Sequence, residues 1–548
     1  MSQDTHSAEP EKEGVKVHIK KAVAVLGASA LTLGLAACGS DSADNAADGG
    51  DGGNGGDNYI LVNGSEPQRP LLPGDTNETG GGRITDVLYA GLTYYDKDGE
   101  SHNELAESIE PEGEKSYRVT LKDTKWADGT PVTANDFVDA WNYAVENSQM
   151  NAYFFEPIKG FEEGKPLEGL EVVDDKTFTI ELEQPEADFP QRLGYVAYAP
   201  LHPSAFDDME AYGENPIANG PYKLLEWNHN QDAIVVPNEE YQGDRKAQND
   251  GVNFVFYAQQ DAAYADLLSG NLDVLDAVPD SAMTNFEDEL GERAVNQPAA
   301  AFQSLTLNEN EEHFGGEEGK LRRQAISKAI DRDEITGTIF ADTRTPATDF
   351  ASPVIPGHTD DLEGVDVLKY DPEEAKRLWE AADKINKFDG ELEISYNADG
   401  GHQAWVDAVA NSIRNAIGIE AVGNAYPDFK SMLDDMDNDA VKGAFRTGWS
   451  ADYPSLGNFL IPLYSTNGSS NYARYSNPAV DTLLSDAASA ESPEAATEKY
   501  NEVQRVLFED LPAIPLWNQN VTGGYSENVE NVEFSWRSLP VLHQITKN

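Results

Sequence analysis

Two hydrophobic periods alternate along this chain from Tyr59 onward, and that mixture narrows its fold more than any other feature. In Tyr117-Arg118-Val119-Thr120-Leu121 and in Thr177-Phe178-Thr179-Ile180-Glu181-Leu182, apolar residues recur at every second position, the pattern of a strand with one buried face. Elsewhere the period lengthens to that of a helix. Asp371-Pro372-Glu373-Glu374 supplies an N-cap, a proline at the first helical position and a capping-box glutamate ahead of Ala375-Lys376-Arg377-Leu378-Trp379. Between Leu321 and Ile335, residues Leu321, Ala325, Ile326, Ala329 and Ile330 fall on one stripe, with Arg322 and Arg323 beside it. The implied class is α/β.

At 548 residues the chain exceeds one ordinary core and needs two or three domains, which a discontinuous arrangement can hide from a linear reading. No repeat appears at the period of solenoids or propellers. With 98 Asp plus Glu against 39 Lys plus Arg, the formal net charge is -59, spread along the whole chain. A phosphate backbone needs clustered Lys and Arg; the body has no such cluster, so nucleic acid is not an expected partner. The acidity reads as a highly solvated surface.

The one cysteine, Cys38, excludes an intramolecular disulfide and a cysteine-based metal site. Its setting explains it. Lys16, His18, Lys20 and Lys21 precede an uncharged run from Ala22 to Ala37, the order of a secretory leader, and that run is short for a membrane span. Leu35-Ala36-Ala37-Cys38-Gly39 resembles a bacterial lipobox, so residues 1–37 are expected to be a signal peptide with a polar N-terminal extension, and Cys38 to become the lipidated mature N-terminus. Residues 38–57 then form a flexible acidic Gly-rich linker between membrane and body. One calcium-type nonapeptide in it, Gly52 to Asp57, reads as linker, since such sites need stacked repeats.

Catalytic signatures do not stand out: there is no HExxH, no GxSxG elbow and no phosphate-binding glycine loop with its lysine. An enzyme is not expected, nor is a cofactor or a metal. Trp126-Ala127-Asp128-Gly129-Thr130-Pro131 reads as a turn, and Thr133 or Asn135 as the cap of a helix carrying Phe137, Ala140 and Trp141. The stretch Tyr94 to Glu100 suggests half of a calcium loop but lacks the remaining ligands, and reads as a hairpin turn.

Six blocks, in order, carry a family resemblance: Asn63 to Gln68, Trp126 to Trp141, the Val172 to Pro185 strand region, Asn219 to Leu224, the Leu321 to Ile335 stretch and Gly448 to Leu460. Together they resemble the peptide-binding branch of the family 5 solute-binding proteins, the oligopeptide-binding lipoproteins of ABC importers. The resemblance implies a two-lobed periplasmic-binding-protein-like clamp with discontinuous lobes and two hinge crossings. Lobe I would comprise 58–77, 200–300 and 517–548, with 78–199 as an appended subdomain, and lobe II would comprise 301–516.

A zwitterionic peptide demands an anion for its ammonium, a cation for its carboxylate, and main-chain partners between them. By resemblance, Asp452 would meet the ammonium, Arg446 the carboxylate of short peptides, and His402, sixteen residues before Gly418, the carboxylate of slightly longer ones. Gly448, Trp449 and Ser450 would pair with the peptide main chain; Glu66 would stand at the cleft edge and Tyr453 line it. Two departures from the family pattern, Thr306 in place of an acidic residue and Phe429 in place of a tryptophan, leave peptide length and side-chain preference open. The partners implied are short peptides, the membrane permease subunits of an ABC transporter and, through acylated Cys38, the lipid bilayer. The protein would act outside the cytoplasm, anchored to the cell membrane, as a monomer. The same fold and transport role with an oligosaccharide, nickel chelate or haem is the alternative.

Overall fold

The computed structural model describes residues 58–548 apart from Asp280; the leader, Cys38 and the glycine-rich stretch to Asp57 lie outside the described residues. The two alternating segments form strands and pair with each other. Ser116–Leu121 and Thr177–Glu181 run antiparallel with Val119 opposite Phe178, in a four-stranded sheet completed by Ala106–Pro111 and Leu170–Asp174. Helix Ala134–Glu146 covers its apolar face, bringing Phe137 and Trp141 each to 5.8 Å from the Phe178 ring. Of the two expected caps, Thr133 is the one used. Its N–H donates to Asp136 Oδ2 at 3.0 Å, and the same carboxylate accepts from Trp126 Nε1 at 3.0 Å, so the turn and the helix brace each other.

The second sheet has eleven strands. Ala421–Tyr426, Leu392–Asn397 and Ala444–Ser450 lie at one end; Ile60–Gly64, Val252–Phe256, Asp232–Pro237 and Tyr222–Asn228 lie at the other. Two long antiparallel strands, Ala294–Leu307 and Ala513–Tyr525, join the halves. Apolar side chains divide along them. Ile60, Val62, Phe254 and Val521 share a cluster with Phe137 and Phe178, whereas Leu305, Ile394, Ile514 and Trp517 belong to another. Segment 78–199 therefore has its own sheet but no core of its own, because its one apolar face continues into that of the neighbouring sheet.

The long strands lose register midway. Pro298 lies opposite Asn520 and Phe302 opposite Asn518, so Ala299, Ala300 and Ala301 bulge out of the ladder. Their polar groups find partners elsewhere: Ala300 N–H donates to Trp536 O at 2.9 Å, and Ser352 Oγ donates to Ala299 O at 2.8 Å.

The loop that carries Ser352 holds a titratable brace. His358 lies between Asp349, which is fully buried, and Asp360, with ring nitrogens 2.7 and 2.8 Å from the carboxylates. Burial works against the imidazolium, but the two carboxylates outweigh it and raise its pKa from 6.5 to about 8. A folded-state pKa above the unfolded one contributes stability that is full below about pH 6.5 and is lost as pH rises through about 8. Denaturant unfolding from pH 6 to 9 is expected to show a decline of about 2 kcal/mol in the wild type that His358→Gln abolishes.

Two smaller expectations turn out differently or in more detail. Asp371 caps its helix by accepting from Glu374 N–H at 3.0 Å, but the Glu374 carboxylate pairs with Arg377 instead of returning to the cap. Thr93–Tyr95 and Ser101–Asn103 form the expected hairpin, whose turn is closed by N–H donation from Asp98 and Glu100 to Asp96. Asp96, Glu100 and His102 also hold possible ligand atoms within 4.8 Å of one another; His102 Nε2 lies 2.9 Å from the Asp96 carboxylate, which is thereby already engaged.

Candidate functional site

The strand Ala444–Ser450 positions most of the predicted site. One edge pairs along its whole length with the first long strand, from Ala444 opposite Leu307 to Ser450 opposite Ala301. On the other edge, Leu392–Asn397 pairs only through Ile394 to Ala444 and Ser395 to Phe445. The ladder on that side ends before Gly448, Trp449 and Ser450, and Gly448 and Ser450 are exposed. Such an edge can accept an added strand. Gly448 is required by close approach: a Cβ there would meet Phe302 O at 2.6 Å.

Arg446 and His402 come together. Both border a cavity of ≈ 270 Å³ with Gln303, Arg344, Gly448 and Ser450. Arg446 is aimed by two contacts: its Nε donates to Asn397 Oδ1 at 2.7 Å, and its guanidinium lies 4.6 Å from the centre of the Phe429 ring. His402 directly precedes helix Gln403–Ile417 and accepts at Nδ1 from Trp405 Nε1, 3.1 Å away. Because indole nitrogen only donates, the His402 ring proton resides on Nε2.

Asp452 lies two residues beyond the strand, in a mostly buried position. Asn458, in helix Leu456–Tyr464, holds it by two hydrogen bonds and ties it to Trp449 by a third. Its Oδ1 accepts from Asp452 N–H and from Trp449 Nε1, and its Nδ2 donates to Asp452 Oδ2, each at 3.1 Å. Burial pushes the Asp452 carboxyl above its ordinary value, opposed by the Asn458 hydrogen bond and by Arg192 and Arg537. Those arginines are committed elsewhere, Arg192 to Glu186 and Arg537 to Asp86 at 3.3 Å. Among the described residues, then, the carboxylate has no ion-pair partner of its own. A desolvated anion of this kind gains strongly from a cation brought to it.

Facing Asp452 is an aromatic wall that the sequence reading missed. Tyr153, 48% exposed, packs 4.4 Å from Phe154, which stacks on Tyr195 at 4.1 Å. Partial burial and the Asp452 carboxylate together hold the Tyr153 phenol above its usual range. Nothing in Asn151-Ala152-Tyr153-Phe154-Phe155 separates this ring from core aromatics. Asn458 was within reach, since Ser455 caps a helix whose first turn then holds Asn458 beside the Asp452 motif.

One expected site residue needs correction. Tyr453 does not line the open cleft: it is 3% exposed, because its ring packs beneath the Arg192 guanidinium at 4.7 Å. Glu66 has partners in the described residues. It accepts from Asn230 N–H at 2.6 Å and lies 2.8 Å from His229 Nδ1, holding the turn of the Tyr222–Asn228 and Asp232–Pro237 hairpin. Trp449 is tied at Nε1 to Asn458 and packs against an apolar cluster while bordering the cavity.

Residues 100–471 match the model of the bacterial extracellular solute-binding proteins, family 5 Middle. The periplasmic murein peptide-binding protein MppA of Escherichia coli is 27% identical over 83% of this chain and 88% of its own. The oligopeptide-binding protein OppA of Bacillus subtilis is 24% identical over 84% of this chain and 88% of its own. Among solved structures, the unliganded open form of MppA superposes with a TM-score of 0.78 at 23% identity, covering 89% of this chain and 96% of that one.

Proposed function

The chain belongs to the bacterial extracellular solute-binding proteins of family 5, and from that premise we propose that it captures short peptides in a cleft between two lobes and delivers them to the membrane subunits of an ABC transporter. The observation that carries the choice of ligand is the Asp452 carboxylate, mostly buried, braced by Asn458 and without an ion-pair partner among the described residues, two residues past a strand with an unpaired edge. An ammonium supplies the missing charge. The strand edge supplies main-chain bonds that are indifferent to side chains, and Arg446, with His402 beside it, supplies the positive end. An oligosaccharide would use aromatic platforms and amides without opposed end charges, and a nickel chelate or haem has no ammonium to offer Asp452.

In this reading 58–77, 200–300 and 517–548 form lobe I with 78–199 attached, and 301–516 form lobe II. Ligand favours the shut state only through contacts made when both lobes close on it, and the bulged crossing at Ala299–Ala301 is the place for that motion. The role is binding and delivery, with no chemistry performed on the peptide. No helix of the described residues is long and apolar enough to cross a membrane; attachment is assigned to acylated Cys38, which leaves a monomer tethered outside the cytoplasm.

One experiment addresses cargo and tether together. Wild-type protein and Cys38→Ala are fractionated into membrane and soluble pools, purified without refolding and weighed by native mass spectrometry. Short peptides are expected on both proteins, with the wild type in the membrane pool and the variant released. A co-purified sugar or metal chelate would refute the cargo, and a variant retained by membranes would refute the tether.

A further inference from the structure

Asp188 stands directly before the short helix Phe189–Arg192, where an aspartate would ordinarily cap its own helix, yet its side chain makes no such bond. It is 2% exposed, and its carboxylate is turned to a residue 267 positions further along the chain. There Oδ2 accepts from the Ser455 hydroxyl, with the Tyr500 hydroxyl 3.5 Å away. The other oxygen, Oδ1, has no hydrogen-bond partner among the described residues. A buried carboxylate with one oxygen unmet costs stability, so packing alone does not account for it. Ser455 is the N-cap of helix Leu456–Tyr464 and accepts from Gly457 N–H at 3.0 Å. A serine hydroxyl has one hydrogen. With that hydrogen committed to Asp188, its lone pairs face Gly457 and the start of the helix is fixed. One residue before Asp188, Ala187 N–H donates at 2.9 Å to the carbonyl of Ala488, the last residue of helix Pro478–Ala488. Two adjacent residues of segment 78–199 thus meet one helix N-terminus with an anion and one helix C-terminus with a donor. Gly457 leaves the room for this: a Cβ there would come 2.8 Å from Asp188 Oδ2 and 2.5 Å from the Tyr500 hydroxyl.

We propose that Asp188 is a positioning residue for the ammonium end of the site, acting through Ser455 and Asn458. The inference rests on the peptide reading above and deepens it. Asn458 is in the first turn of the helix that Ser455 starts, and its hydrogen bonds to Asp452 and Trp449 are each 3.1 Å long. A shift of the helix start therefore moves the Asn458 amide, and with it the Asp452 carboxylate. Asp188 is too buried to meet the peptide itself. It belongs to 78–199, the segment attached to lobe I, and the turn that it grips belongs to 301–516. A residue of one lobe thus takes part in aiming an anion carried by the other.

The test compares the tripeptide Ala-Ala-Ala with its N-acetylated form, each titrated calorimetrically into the full chain. The readout is the ratio of the two affinities, because Asp452 engages only the free ammonium. The wild type is expected to prefer the free form by about a hundredfold or more. Asp188→Ala and Ser455→Ala are each expected to lower that ratio by about tenfold or more, and the double variant to lower it no further than either alone. Ser455→Thr, which keeps the hydroxyl, is expected to keep the ratio. Gly457→Ala separates positioning from folding. It favours the helix, but the added Cβ displaces the Asp188 carboxylate, so the ratio should fall with no loss of stability. Should Asp188→Ala not fold, Ser455→Ala and Gly457→Ala decide the matter. Variants that melt earlier but keep the ratio would overturn the positioning role and leave the peptide reading standing. A wild type that binds neither tripeptide, or both equally, would overturn the two together.

Discussion

Asp452→Ala is expected to weaken peptide binding by at least two orders of magnitude, about 2.7 kcal/mol, with thermal stability nearly unchanged. The asymmetry follows from where the carboxylate is and what surrounds it. In the free protein it is a mostly buried anion whose pKa burial has raised, held by hydrogen bonding to Asn458 and by no ion pair of its own among the described residues. Removing it relieves desolvation as much as it removes a bond, so folding loses little. In the complex the same change leaves a peptide ammonium in the cleft without its counter-charge, the situation that makes breaking a buried pair costly. N-acetylated peptides should therefore bind the wild type as poorly as free peptides bind Asp452→Ala. The two losses should not add, because both delete one interaction. Calorimetry that finds free-peptide affinity intact in the variant would remove Asp452 from the site.

Arg322→Ala is expected to have the largest effect on stability, about 3–5 kcal/mol, seen as a lower denaturant midpoint with no direct effect on the ligand groups. Its side chain is fully buried in helix Gly316–Ala329. The guanidinium donates to Glu318 at 2.7 Å, to Asp383 at 3.1 Å and to Asn386 O at 2.6 Å, and lies 4.5 Å from the Trp379 ring centre. It thus ties that helix to the end of helix Pro372–Asp383, and truncation takes the guanidinium away from the Glu318 carboxylate, only 11% exposed, leaving His313 Nδ1 at 2.8 Å beside it. Arg322→Lys should recover only part of the loss, since an ammonium cannot match the planar fork or stack on the indole in the same way. A variant as stable as the wild type would show that solvent reaches these carboxylates and screens them.

Arg322 also shows where reading along the chain falls short. Hydrophobic spacing correctly placed Ala325, Ile326 and Ala329 on the buried stripe, but set Arg322 and Arg323 beside it. Both are in fact among the most buried charges in the protein, because carboxylates and carbonyls from distant segments surround them: Asp383 for Arg322, Glu309 and Asp510 O for Arg323. Periodicity counts apolar atoms and is blind to a buried cation whose partners are remote. Tyr453 diverges for the same kind of reason. Its neighbours in sequence match a motif, but Arg192, more than 150 residues away, decides what the side chain touches.

What the sequence by itself determined is local and periodic. Strands at Ser116–Leu121 and Thr177–Glu181, the Thr133 and Asp371 caps and the α/β class follow from interactions within a few residues. So does the covalent order that puts Arg446, Gly448 and Asp452 on one short segment. The tertiary structure alone decided that Asn397 aims Arg446 and that the strand edge is unpaired beyond Phe445. Each of those facts depends on which remote segment ends where, since desolvation and hydrogen-bond geometry are set by neighbours in space.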